Sequence, residues 1–414
     1  MNDQAGGLGL HRTNLFWLPE KEFSGHDVTR RMSAYVVPET PKMNGQWIGT
    51  YAGTRHGPII LNVDERQSLF QGTATIIDDV PTVPTAVAFF RTATKDRDFQ
   101  CRASVLPVDP QTRNPSTWEA VRHLFPPDTT MSQVADVRGT WNSDTLKISW
   151  TTDIGISGEA TLPRSKATAA SELAAVEKSW SDFKEYVAEL ESGNFLFRGQ
   201  NKPWRLRTSF HRAGRADVLR FMREDVPSLH RNLSARTKHV FNLDIPNENG
   251  AFLNLIQHHG YPTPLLDWTY SPYVAAFFAY RGISNEEADN APATSKVRVL
   301  VLDQRQWRSD FPQIPWLEPA TPHFSILEFL AIENERMIPQ QAVSTVTNVD
   351  DIEAFIPPRV LHSPAERYLS AIDLPLRERR RVTQELNFMG ISAGALFPGL
   401  DGACEDLKQR NFEP

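Results

Sequence analysis

From Gly45 the hydrophobic rhythm of the chain turns to every second residue. Trp47, Gly49 and Tyr51 share a face, Pro58 to Val63 is a short apolar run, and Thr145 to Trp150 alternates polar with apolar. A period of two is that of a half-buried strand. Gly72, Asp78-Asp79, Gly139, Asp153, Gly155 and Gly158 interrupt these runs where hairpin turns would stand. Residues 43–165 therefore predict an antiparallel barrel or sandwich with few helices. Residues 1–42, rich in charge, glycine and proline and without a sustained period, read as an N-terminal arm.

Ser165 to Ser171 is a polar, alanine-rich linker, and a second domain, residues 172–410, follows. Val176, Trp180, Phe183, Val187 and Leu190 recur at helical spacing up to Ser192-Gly193. Phe195 to Phe197 reads as a short buried strand, and mixed helical sequence runs from there to about Asn242. A helix is expected from Gly250 to His259, stopped by Gly260 and Pro262. Ser271-Pro272, a cap followed by proline at the first helical position, starts another that runs to Tyr280. Val297 to Asp303 and Gln341 to Thr347 read as strands, and the part after Asp351 as helical. This half is read as a mixed α+β domain.

The length of 414 residues calls for two or three domains. A hydrophobic fraction of 40% with 23% charge excludes a wholly disordered chain, and no apolar run approaches the ~20 residues that span a bilayer. Gly6-Gly7, Asp3, His11 and Pro19 stand where a secretory signal would need an unbroken apolar stretch, so the expected location is the cytoplasm, with no membrane partner. Cys101 and Cys404, far apart, support neither a disulfide framework nor a thiolate metal site. The net charge of -6 argues against a uniformly basic nucleic-acid binder, yet between Arg198 and Val240 eleven Lys or Arg face three acids. That segment is either a solvated face balanced by acids elsewhere in the fold or a surface that attracts phosphates.

Candidate chemistry gathers in two segments. Arg198 ends an apolar strand and precedes Gly199, which admits a close backbone or ligand. Such an arginine is a buried structural ion partner or a fork for phosphate or carboxylate. If Pro264 to Thr269 is extended, Asp267, Thr269 and Ser271 alternate onto one face, with Trp268 and Tyr270 on the other. Alternatively Ser271 caps the next helix, Thr269 closes a turn and Asp267 accepts backbone amides. The adjacent His258 and His259 diverge by about 100° on a helix, with no further ligand at metal spacing, so no metal is expected; one of them is a hydrogen-bond donor to a loop or ligand. No nucleophile elbow, phosphate-cradling glycine loop or dinucleotide fingerprint is present.

Gly45-x-Trp47-x-Gly49-x-Tyr51 resembles the first strand of lipocalin-like and avidin-like barrels, where a tryptophan plugs one end. Such a barrel either holds a ligand or is filled by its own side chains. Phe197-Arg198-Gly199-Gln200 with Trp204, then Gln257-His258-His259-Gly260-x-Pro262-Thr263-x-Leu265-Leu266-Asp267-Trp268-Thr269-x-Ser271-Pro272, resemble the FRG domain family, named for its Phe-Arg-Gly motif. Arg336-x-x-x-Gln340-Gln341-Ala342-Val343 and Leu396-Phe397-Pro398-Gly399-Leu400-Asp401 resemble its later motifs. That domain is similar, more distantly, to the ADP-ribosyltransferase fold of the arginine-serine-glutamate class. The resemblance implies NAD as the bound nucleotide, with Arg198 on its pyrophosphate, Thr269 and Ser271 at a ribose, and Gln200 and His258 as further contacts. Trp268 or Tyr270 would stack on a flat ring. Gln340 or Gln341 stands where that class has a catalytic glutamate, which leaves Asp267, Asp401 and Glu405 as candidate acids. The activity implied is ADP-ribosyl transfer, to nucleic acid reached through residues 198–240 or to protein, in a toxin or antiviral effector. The β domain would bind a protein partner or regulate. A non-catalytic nucleotide-binding or nucleic-acid-binding module is the rival reading.

Overall fold

Period-two sequence closes on itself at the amino-terminal end of the computed structural model, which describes residues 42–316, 319–356 and 368–412. The expected arm lies outside the described residues except for Lys42. Eight strands, β1 (Gly45–Gly53), β2 (Gly57–Glu65), β3 (Phe70–Ile76), β4 (Ala86–Arg91), β5 (Asp98–Pro107), β6 (Val134–Trp141), β7 (Thr145–Thr152) and β8 (Ser157–Pro163), form a closed antiparallel barrel in chain order. Closure comes from pairing β8 with the end of β1, Tyr51 opposite Ala160. Barrel, not sandwich, is the outcome of the expectation. Trp47 is wholly buried at one end, its Nε1 donating to the Met43 carbonyl at 2.9 Å, and the Arg164 guanidinium stacks 4.4 Å above its ring. The other end remains open over an apolar cavity of about 120 Å³, so the barrel is not filled by its own side chains.

The second half holds β9 (Ala175–Glu177), β10 (Phe195–Gln200), β11 (Leu265–Thr269), β12 (Lys296–Asp303), β13 (Phe324–Leu327), β14 (Ala342–Thr347) and β15 (Leu369–Pro375). They make one seven-stranded sheet in the order β13-β14-β11-β10-β12-β15-β9. Its central strands read as continuous apolar runs because both faces are covered. In β12, Val297, Val299 and Val301 pack into one core with the helices Trp180–Ala188, Pro272–Tyr280 and Arg379–Phe388. Leu300 and Leu302 pack into the opposite core with Trp307 and Tyr368.

Three expectations need correction. Val176 belongs to β9, and the helix starts only at Trp180, where Ser179 and Asp182 form a reciprocal cap. Its helical spacing with Trp180 was accidental, since Val176 is exposed. The helix placed at Gly250 begins a turn earlier, at Pro246. The part after Asp351 is not all helical: β15 pairs with β12 over seven residues inside the sheet.

The barrel is pressed through β2, β3 and β4 against segments of the second half that lie outside the sheet strands. Asp64, on β2 and wholly buried, accepts from the Ala216 and Asp217 backbone amides at 2.7 and 3.2 Å and from Arg215 Nε at 2.5 Å. Thr73 donates to Asp217 at 3.2 Å, Thr75 donates to the Ala320 carbonyl at 2.9 Å, and Val87 and Val108 share an apolar cluster with Leu219 and Ala320.

Candidate functional site

The Phe-Arg-Gly segment forms β10, and its glycine has a steric reason. A Cβ on Gly199 would lie 1.9 Å from the Ala275 carbonyl oxygen and 2.5 Å from the Ala279 nitrogen, so only glycine lets the helix Pro272–Tyr280 lie on the strand. β10 pairs with β12 along its whole length but with β11 at a single position, Phe197 opposite Thr269. The two neighbouring strands part beyond that point. A cleft of about 330 Å³ opens there, lined among others by Arg198, Asn254, Gln257, His258, Asp267 and Arg336.

Arg198 reaches across the gap, its Nη1 donating to the main-chain carbonyl of Asp267 rather than to the carboxylate. Its Nε is buried without a protein partner, and so is the Oδ1 of Asn334, another lining residue. Buried polar atoms are nearly always satisfied, so a donor and an acceptor left open in one cleft mark where a polar ligand fits. Burial lowers the Arg198 guanidinium to about 10, with Asp267 opposing the shift and Arg212 adding to it, and it remains a cation at neutral pH.

Asp267 projects from β11, and Gln257 Nε2 donates to its Oδ2 at 2.6 Å. The Gln257 amide is fixed in turn by the Thr263 hydroxyl, which donates to its oxygen. Although the Asp267 side chain opens onto the cleft, the surrounding protein raises its carboxyl above the usual range, against the pull of Arg198, Gln257 and Arg212. It is the one carboxylate among the residues lining the cleft. His258 ends the helix Pro246–His258, and burial, with Arg336 and His259 nearby, lowers its imidazole to about 4. It is therefore neutral near pH 7 and offers one donor and one acceptor.

Other expected site residues lie differently. Thr269 lines the cleft, but its hydroxyl donates to the Gln340 carbonyl at 2.7 Å and accepts from the Ser271 amide at 3.0 Å. Ser271 caps its helix, its Oγ accepting from the Val274 amide at 3.2 Å, and is not among the lining residues. Gln200 ends β10 beyond the cleft, opposite Arg298. Gln341 sits left-handed, with φ 47°, in the turn entering β14, and is not among the residues lining the cleft. Its neighbour Gln340 lines the cleft and donates to the Leu396 carbonyl at 2.9 Å. Asp401 stands outside, 92% exposed and 3.7 Å from Arg336, while Glu405 forms a two-point pair with Arg281 at 2.7–2.8 Å.

Of the expected stacking aromatics, Trp268 is among the residues lining the cleft and Tyr270 is not. Trp268 is buried, its Nε1 donating to Thr345 at 3.0 Å, and the Tyr270 hydroxyl donates to Glu328 at 2.8 Å. Phe197, Phe278 and Phe397 line the cleft as well, with the Arg336 guanidinium 5.1 Å from the Phe397 ring centre. Sequence reasoning did not select Asn254, Gln257, Phe278, Arg336 or Phe397 as site residues. Gln257, Arg336 and Phe397 stood inside the motifs already quoted, and that was the available signal.

The basic segment is partly neutralised. Arg205 pairs with Asp351, Arg207 with Asp350, Arg215 with Asp64 and Asp225, and Arg220 with Asp217 and Glu224. Lys202, Arg212, Arg231, Arg236 and Lys238 are exposed.

Residues 193–288 match the FRG domain family. No curated protein and no solved structure matches the chain.

Proposed function

We propose, from the premise that this chain carries an FRG domain, that its cleft binds NAD and transfers the ADP-ribosyl group to an acceptor. The observation that carries the reading is the cation of Arg198. It is held in the cleft by a neutral carbonyl, and its buried Nε has no partner in the protein. Such a group is suited to a phosphate oxygen, and Arg336 at the same cleft offers a second cation. Phe278 gives a surface for a flat ring, and Asn334 an acceptor for a ribose hydroxyl or amide. The strand ending in aromatic-Arg-Gly, with a Thr and a Ser before an apolar helix, also resembles the ADP-ribosyltransferase fold.

When bound, NAD supplies a ribose whose bond to nicotinamide breaks, the bonding pair leaving with the ring while an acceptor oxygen or nitrogen closes the new bond. Above its raised pKa, Asp267 is an anion held in place by Gln257. It stabilises positive charge developing nearby and takes the proton that the acceptor gives up. Arg212, exposed and close enough to shift both Arg198 and Asp267, would attract the phosphates of a nucleic-acid acceptor toward the cleft.

Incubating the full chain with labelled NAD and DNA, RNA or protein tests this. Label is expected on an acceptor, with Arg198→Ala weakening NAD binding about tenfold or more and Asp267→Asn keeping binding but losing transfer. Saturable nucleotide binding without turnover would replace the enzyme with a binding module. No nucleotide binding at all would remove the reading.

A further inference from the structure

We propose that the barrel is itself a binding site, for a small apolar ligand such as a short alkyl chain or an aromatic ring carrying an oxygen acceptor. Inward positions of neighbouring strands face one another, and at the open end two such pairs are alanines: Ala74 opposite Ala88, and Ala103 opposite Ala135. In an eight-stranded barrel the interior is just wide enough for side chains to fill, so small residues facing each other leave room. At the plugged end Trp47, Trp141, Leu146 and Leu162 occupy the same inward columns and fill the space.

The resulting cavity of about 120 Å³ has walls formed largely by apolar side chains, Phe90, Phe99 and Trp150 among them. An engineered apolar cavity of about 150 Å³ stays dry and takes up benzene, so a void of this size and lining favours an organic guest over water. It is therefore a space that folding leaves open at a cost in packing.

Polarity is confined to the mouth. Asp78, only 5% exposed, accepts from the Tyr51 hydroxyl at 3.3 Å and from the Val80 amide at 2.9 Å, and lies 3.8 Å from Arg55 Nε. Its carboxylate is thus already supplied with donors. Arg55, also on the lining, has further guanidinium N–H groups, so the part of a guest at the mouth should be an acceptor, a carboxylate or carbonyl oxygen. This site shares no lining residue with the cleft at Arg198 and does not depend on the transferase reading.

Calorimetric titration of the full chain with butanoate, hexanoate, octanoate and decanoate, with benzoate and with the matching alcohols, is the test. Saturable binding is expected, tightening with chain length until the cavity is full and then levelling. Ala88→Phe and the milder Ala135→Leu should each weaken it about tenfold or more with near-ultraviolet dichroism retained. Arg55→Ala should remove the preference for acid over alcohol. Absence of saturation with every probe, or binding unchanged in a folded cavity-filling variant, overturns the proposal. Should both filled variants misfold, a lack of chain-length dependence in the unmodified chain overturns it equally.

Discussion

A guanidinium facing a carboxylate has its field cancelled within a few ångströms, whereas one held by a carbonyl oxygen keeps its charge for a ligand. Arg205 and Arg198 are only seven positions apart and illustrate the two cases, the first sealed against Asp351 and the second open to the cleft. Asp217 shows a third use of burial. Burial above all, with Asp64 adding and Arg220 and Thr73 opposing, pushes its carboxyl up to about 7. The folded chain then keeps a proton, between the ordinary aspartate range and about pH 7, that the unfolded chain has released. The contribution of this group to stability is therefore greatest in acid and declines as pH rises through about 7. Asp217→Asn should flatten that decline, so that the gap between variant and parent in urea midpoint changes between about pH 5 and about pH 8. A constant gap would show that Asp217 does not titrate there. Chain order held no sign of this, because Asp64 and Asp217 meet only once the barrel is docked.

Among elements, the barrel strands β1, β2 and β7, together with β10, β12 and the helix after Ser271, were legible because periodicity, turn residues and caps are local. What escaped was decided by partners distant in sequence. Val176 looks helical until β15 offers it a strand to pair with, and Gln341 looks placed for the site until the left-handed turn into β14 leaves Gln340 on the cleft side. Asp267 was within reach as one of three alternating residues, whereas its tie to Gln257 depends on how a helix end meets a strand. The glycine of the Phe-Arg-Gly motif gives the sharpest test at this scale. Gly199→Ala should cost about 1–3 kcal/mol by forcing helix from strand, read as a lower denaturation midpoint for the whole chain. An unchanged midpoint would contradict the close approach at Ala275 and Ala279.

Across the whole molecule, the barrel and the second half are joined by more than the linker. The described residues cluster as one compact unit, and every residue of β2 from Ile59 to Asp64 is buried. Alternate side chains on such a strand face the barrel interior and the second half in turn. Heating should therefore give a single calorimetric transition whose calorimetric and van't Hoff enthalpies agree. Two resolved transitions would show that barrel and sheet unfold separately. The same double-sided wall has a practical consequence for anyone dividing the chain. A fragment cut at the alanine-rich linker would carry Asp64, Thr73 and Val87 into water on a surface shaped for another part of the same chain, with Asp64 stripped of the arginine and amides that now satisfy it. The visible border between the halves is a change of topology, and severing there would wound both pieces.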